Sequence, residues 1–85
     1  MSETTYSLFQ QGRRHLKRGM PAQATVALEK AKRREPEKAS IREALGIAYF
    51  RIRRWEEAEA EFRKALELKP DYPQARQQLN ALNGK

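Results

Sequence analysis

The stretch RWEEAEAEFRKALELKP, Arg54 to Pro70, places Ala58, Phe62, Ala65 and Leu66 at the three- and four-residue spacing of one helix face and then stops at proline. Its landmarks recur upstream. Gly46, Ala58, Ala65 and Pro70 each have an identical residue 34 positions earlier, at Gly12, Ala24, Ala31 and Pro36. Small residues allow helices to approach and proline ends them, so the coincidences fall on residue types that shape a helical hairpin. A fixed period in the thirties is the signature of a stacked helical array.

Working outward from this stretch, residues 39–72 form one repeat and residues 5–38 another, with a further helix over 73–83. Thr4 or Thr5 caps the first helix, whose apolar side is Tyr6, Phe9, Leu16 and His15, and Gly19 ends it. Pro21 suits the first turn of a second helix carrying Ala24, Val26, Ala27, Leu28 and Ala31. Ser40 and Glu43 have capping-box spacing at the start of the third helix, followed by the apolar residues Ile41, Leu45, Ala48, Tyr49 and Ile52. Arg53-Arg54 makes the turn into the fourth. Asp71 caps a fifth helix opening at Pro73.

The 85-residue chain makes one small domain without disulfides or thiolate metal sites, since it has no cysteine. Neither a leader nor a membrane segment is read, and the cytoplasm is the expected location. The net charge of +7 is uneven. Residues 5–38 hold nine Lys/Arg against three acids, whereas residues 39–72 hold seven of each.

In the second repeat, Leu45-Gly46, Tyr49, Ala58, Phe62, Ala65 and Pro70 resemble the signature of the tetratricopeptide repeat; the first keeps Leu8, Gly12, Ala24, Leu28, Ala31 and Pro36, with Gln11 and His15 where that family prefers leucine and tyrosine. The resemblance implies an all-α, right-handed superhelix of helical hairpins with a concave ligand face. It also implies that the first helix of each hairpin lines that face. The expected partner-binding residues are Tyr6, Phe9, Arg13, Leu16, Lys17, Glu43, Ile47, Phe50 and Arg51, with Gln74 and Gln77 from the last helix. Some members of the family grip a free C-terminal carboxylate. At the corresponding places this chain has Phe9, Arg13, Ala44, Gln74 and Gln78, of which only Arg13 suits that task, so a mixed groove for an amphipathic or acidic peptide is expected instead.

Ser7, Arg14 and Arg18 at one end, and Arg76, Asn80 and Asn83 at the other, are polar where a neighbouring hairpin would pack, as expected of a complete two-repeat array with capped ends. Self-association remains an option for so short an array. No catalytic, metal or cofactor site is expected. His15 lacks an evident partner and stands in for a packing tyrosine; Glu56, Glu57, Glu59 and Glu61 complement the helix dipole and face solvent, with Glu59 and Arg63 as an i,i+4 pair. Trp55 belongs to the core edge. The competing reading is polyanion or nucleic-acid binding through Arg13, Arg14, Lys17, Arg18, Lys30, Lys32, Arg33 and Arg34, but these lie on different helices, so it ranks second.

Overall fold

A computed structural model of the chain describes residues 3–84, and its five helices are α1 Thr5–Lys17, α2 Pro21–Arg34, α3 Ala39–Arg51, α4 Trp55–Leu68 and α5 Pro73–Asn83. Consecutive helices pack on one another, and α3 also meets α1 and α5. The result is two stacked hairpins, α1–α2 and α3–α4, closed by α5, in a body of 44 × 25 × 18 Å. Among the described residues, no helix is long and apolar enough to cross a membrane.

The repeat is legible in the backbone. In the first turn Met20 N–H donates to His15 O at 2.8 Å, and in the second Arg54 N–H donates to Tyr49 O at 2.9 Å. Both six-residue closures need a left-handed residue just before the donor. Gly19 supplies it with φ 71°, and Arg53 with φ 65°. The second turn therefore forces an arginine into a conformation that glycine adopts freely.

Close approach within each hairpin depends on a missing side chain. A Cβ at Gly12 would collide with the Leu28 side chain, and one at Gly46 would lie 2.5 Å from Phe62 Cε1. Leu28 and Phe62 are themselves fully buried equivalents in the two repeats. Between hairpins, Ala31 is buried with Leu8 and Ile41, while Ala24, Leu28, Ala44, Leu45 and Ala48 form a second cluster. Helix α5 closes the stack by laying Leu79 and Leu82 on Ala58 and Phe62.

Several expectations are corrected. Thr4 caps α1, its hydroxyl accepting from Ser7 N–H at 2.9 Å. The third helix, however, begins at Ala39 behind Lys38, so Ser40 already lies inside it and caps nothing. Asp71 does not cap α5, whose N-cap is Tyr72 without a side-chain bond. Val26 is 59 % exposed and leaves the apolar face of α2.

The largest correction concerns Glu61. Expected to face solvent, it is buried between the hairpins, with Lys32 Nζ 2.9 Å from one carboxylate oxygen and Arg42 Nη1 3.2 Å from the other. Lys32 also reaches Glu29, which accepts a 2.6 Å hydrogen bond from the Tyr49 hydroxyl. Two acids, two bases and one phenol from α2, α3 and α4 thus satisfy one another where the hairpins meet. Glu59 and Arg63 do form the expected surface pair, at 2.7 Å.

Candidate functional site

A groove of about 550 Å3 opens between α1 and α3, with Tyr72 and Gln74 also in its lining. Its position follows from the packing: the small residues on the opposite faces of α1 and α3 are consumed by α2 and α4, leaving the longer side chains of both helices pointing outward. Phe9, Leu16 and Ile47 supply the apolar lining; Arg13, Arg14, Lys17 and Arg51 supply positive charge.

Several of these groups are held in place. The Arg13 guanidinium lies 5.6 Å from the centre of the Phe9 ring, a cation–π arrangement. Arg51 crosses from α3 to donate to Leu16 O at 2.9 Å, a second donor on a carbonyl at the C-terminal end of α1 that also accepts from Gly19 N–H at 3.1 Å. Glu43 is the one acid in the lining, and the Tyr72 hydroxyl approaches it at 3.5 Å. Burial raises the Glu43 carboxyl above the ordinary glutamate value, against the opposing influence of Tyr72 and of the Arg13 charge. Tyr72 is pushed up to about 12 by burial and by the neighbouring Glu43. Arg13, Arg14 and Lys17 are exposed and take part in no ion pair among the described residues.

Of the nine expected partner-binding residues, the groove gathers Phe9, Arg13, Leu16, Lys17, Glu43, Ile47 and Arg51. It leaves out two. Tyr6 is 70 % exposed on the first turns of α1, away from the lining. Phe50 turns toward α5 and stacks edge-on against Trp55, with ring centres 5.2 Å apart. Gln77 also lies outside the groove, whereas Gln74 lines it. Sequence reasoning missed Tyr72, Gln10 and Ser40 as lining residues, and Arg14, expected on the outer end face of the first hairpin, lines the groove as well. Tyr72 belongs to the connection before α5, and only the stacking of that helix brings it to Glu43.

His15 occupies the place of Tyr49 one repeat earlier, and its Nδ1 is buried without a hydrogen-bond partner among the described residues. No group of three or more metal-ligating side chains occurs among them either.

A tetratricopeptide repeat family model matches residues 9–73. No curated protein sequence matches the chain significantly. Among solved structures, the chain is similar to the second TPR of Spaghetti (RPAP3) bound to HSP90 peptide SRMEEVD, with TM-score 0.91 and 21 % identity over 96 % of this chain and 76 % of that one. It is likewise similar to the first TPR of the same protein bound to the same peptide, with TM-score 0.93 and 18 % identity over 95 % of this chain and 64 % of that one. At these identities the likeness shows the fold.

Proposed function

Because this chain belongs to the tetratricopeptide repeat family, matching its model over residues 9–73, we propose that it is a noncatalytic interaction module whose α1–α3 groove holds an acid-bearing peptide or helix of another protein. The observation that carries this reading is the charge of the groove: four cations and one acid line it. Burial also favours the neutral form of that acid, Glu43. Carboxylates on a partner would meet Arg13, Lys17 and Arg51, while its apolar side chains cover Phe9, Leu16 and Ile47.

The two structural neighbours support a peptide as the class of ligand, since each holds SRMEEVD, in which three of seven residues are acidic. In this chain, Ala44 and Gln74 are neutral residues in the groove, so the cations of α1 and Arg51 would do most of the electrostatic work.

A Glu-rich synthetic peptide titrated against the protein tests the reading. Arg13→Glu with Lys17→Glu should weaken binding by at least about tenfold, and added salt should weaken the wild-type complex in step. Equal affinity for wild type and the double variant would end the groove reading.

One observation favours a second reading. Arg18, Lys30 and Arg33 are exposed on the first hairpin outside the groove lining, apart from any ion pair among the described residues. Duplex binding that falls steeply with salt and survives the groove double variant would assign them to a polyanion.

A further inference from the structure

Glu43 puts a carboxylate where an acid-bearing ligand would lie. It stands on α3 in the lining of a groove whose other charged side chains, Arg13, Arg14 and Lys17 on α1 and Arg51 on its own helix, are all cations. The repeat does not demand an acid at this place. One repeat earlier the equivalent position is Phe9, which also lines the groove and carries no charge.

The surroundings leave the Glu43 carboxylate incompletely matched. From the connection before α5, the Tyr72 hydroxyl stands 3.5 Å from one of its oxygens, at the outer limit of a hydrogen bond, and the Lys69 ammonium lies over the Tyr72 ring, 4.9 Å from its centre. From α1, Arg13 acts on it through charge alone, because its guanidinium lies over Phe9 and makes no ion pair with Glu43 among the described residues. Half-buried and without a close cation, the carboxyl gains a proton more readily than an exposed glutamate does. Arginine and lysine side chains hold their charge through the acid and neutral range, and Tyr72, pushed up to about 12, stays neutral there. Glu43 is thus the one lining group that changes charge between about pH 4 and pH 8.

We propose that Glu43 is a proton gate on the groove: ionised, it repels an anionic segment from the cations around it, and protonated, it admits that segment and offers it an O–H donor. The proposal rests on the groove reading and adds regulation by pH to it. Linkage fixes the direction. An anion bound beside Glu43 disfavours the charged carboxylate, so binding draws a proton onto Glu43, and by reciprocity the proton raises affinity for the anion by the same factor. An anionic segment therefore binds more tightly as pH falls through the Glu43 pKa, until its own carboxylates protonate.

A synthetic peptide with cysteic acid in place of each glutamate and both termini blocked stays fully anionic across the range, so any pH dependence in its binding comes from the protein. Wild type is expected to bind it about threefold to tenfold more tightly at about pH 5 than at about pH 7.5. Proton uptake should accompany binding at about pH 5.5, seen in calorimetry as an enthalpy that varies with the ionisation enthalpy of the buffer. Glu43→Gln should bind tightly at both pH values and lose that uptake. His15, the one histidine of the chain, lies outside the lining and is present in both proteins, so the difference between them belongs to Glu43. Glu59→Gln, which removes an acid of α4 outside the lining, should behave as wild type. The same pH dependence in wild type and Glu43→Gln, or its loss in Glu59→Gln as well, overturns the gate and leaves the groove reading intact. Failure of the sulfonate peptide to bind wild type at either pH overturns the groove reading itself.

Discussion

The Lys32 ammonium on α2 lies 2.9 Å from the Glu61 carboxylate on α4, joining residues 29 positions apart across the junction of the two hairpins. With Arg42 on the other carboxylate oxygen, Glu61 is the hub of a charge-neutral cluster. A chain carrying net charge of +7 thereby buries an acid at its central junction without leaving it unpaired.

Removing the hub should cost more than removing a look-alike. Glu61→Ala takes the shared carboxylate from Lys32, which keeps Glu29, and from Arg42, which keeps the Pro36 carbonyl, and is expected to lower stability by about 2 kcal/mol. Glu59→Ala, in an exposed pair with Arg63 one turn away on the same helix, should cost less than about 0.5 kcal/mol. Urea unfolding of both variants gives the comparison, and a Lys32→Ala/Glu61→Ala cycle gives the coupling between the first two residues.

The same cluster sets a limit at alkaline pH. Burial opposes the charge on Lys32, but the hydrogen bond and charge of Glu61, joined by those of Glu29, raise its pKa above the ordinary 10.5. Tyr49 is pushed well above its ordinary 10.0, first by burial and then by its bond to Glu29. Each group holds its proton more tightly folded than unfolded, so its contribution is complete below the unfolded pKa and disappears as pH rises through the folded one. Stability should fall above about pH 10, and Tyr49→Phe should make that fall shallower, as urea midpoints measured across the range will show.

The two interhelix turns should respond oppositely to glycine. Arg53→Gly relieves a left-handed arginine and should stabilise by up to about 1 kcal/mol, less whatever the freer unfolded chain takes back. Gly19→Ala, at the equivalent place with open space around it, should destabilise by about 1 kcal/mol through backbone strain alone. Thermal unfolding of both variants distinguishes conformation from packing.

Gly46→Ala tests the hairpin approach. Its new methyl would meet the ring of Phe62, which is fully buried, so a loss of about 1 to 3 kcal/mol is expected. Recovery of stability in Gly46→Ala/Phe62→Leu, read from the same urea titration, would identify the ring as the obstacle.

Glu43→Gln should leave stability at neutral pH unchanged or slightly raised. The folded carboxyl has a raised pKa, so its contribution is present at acid pH and lost as pH rises. The substitution also removes the one acid lining the groove, and acidic peptides should bind the variant more tightly in the same titrations.

Much of this was legible in one dimension. The period of 34 between Gly12 and Gly46, Ala24 and Ala58, and Ala31 and Ala65 specifies helices, their hairpin pairing and their stacking, because small residues, prolines and turn residues act through local geometry. It was the resemblance to the tetratricopeptide repeat, not spacing, that pointed to the side chains of α1 and α3 as the lining of a concave face. Glu61, Phe50 and Tyr72 were not legible. Glu61 looks like its exposed neighbour Glu59 until α2 and α3 deliver Lys32 and Arg42 to it. Phe50 looks like a groove residue until α5 and Trp55 draw its ring aside, and Tyr72 reaches Glu43 only once α5 has docked. Periodicity orders residues around their own helix axis, whereas the fate of a charge or a ring at a helix boundary depends on which distant side chain arrives there, and that is known only after the hairpins have stacked.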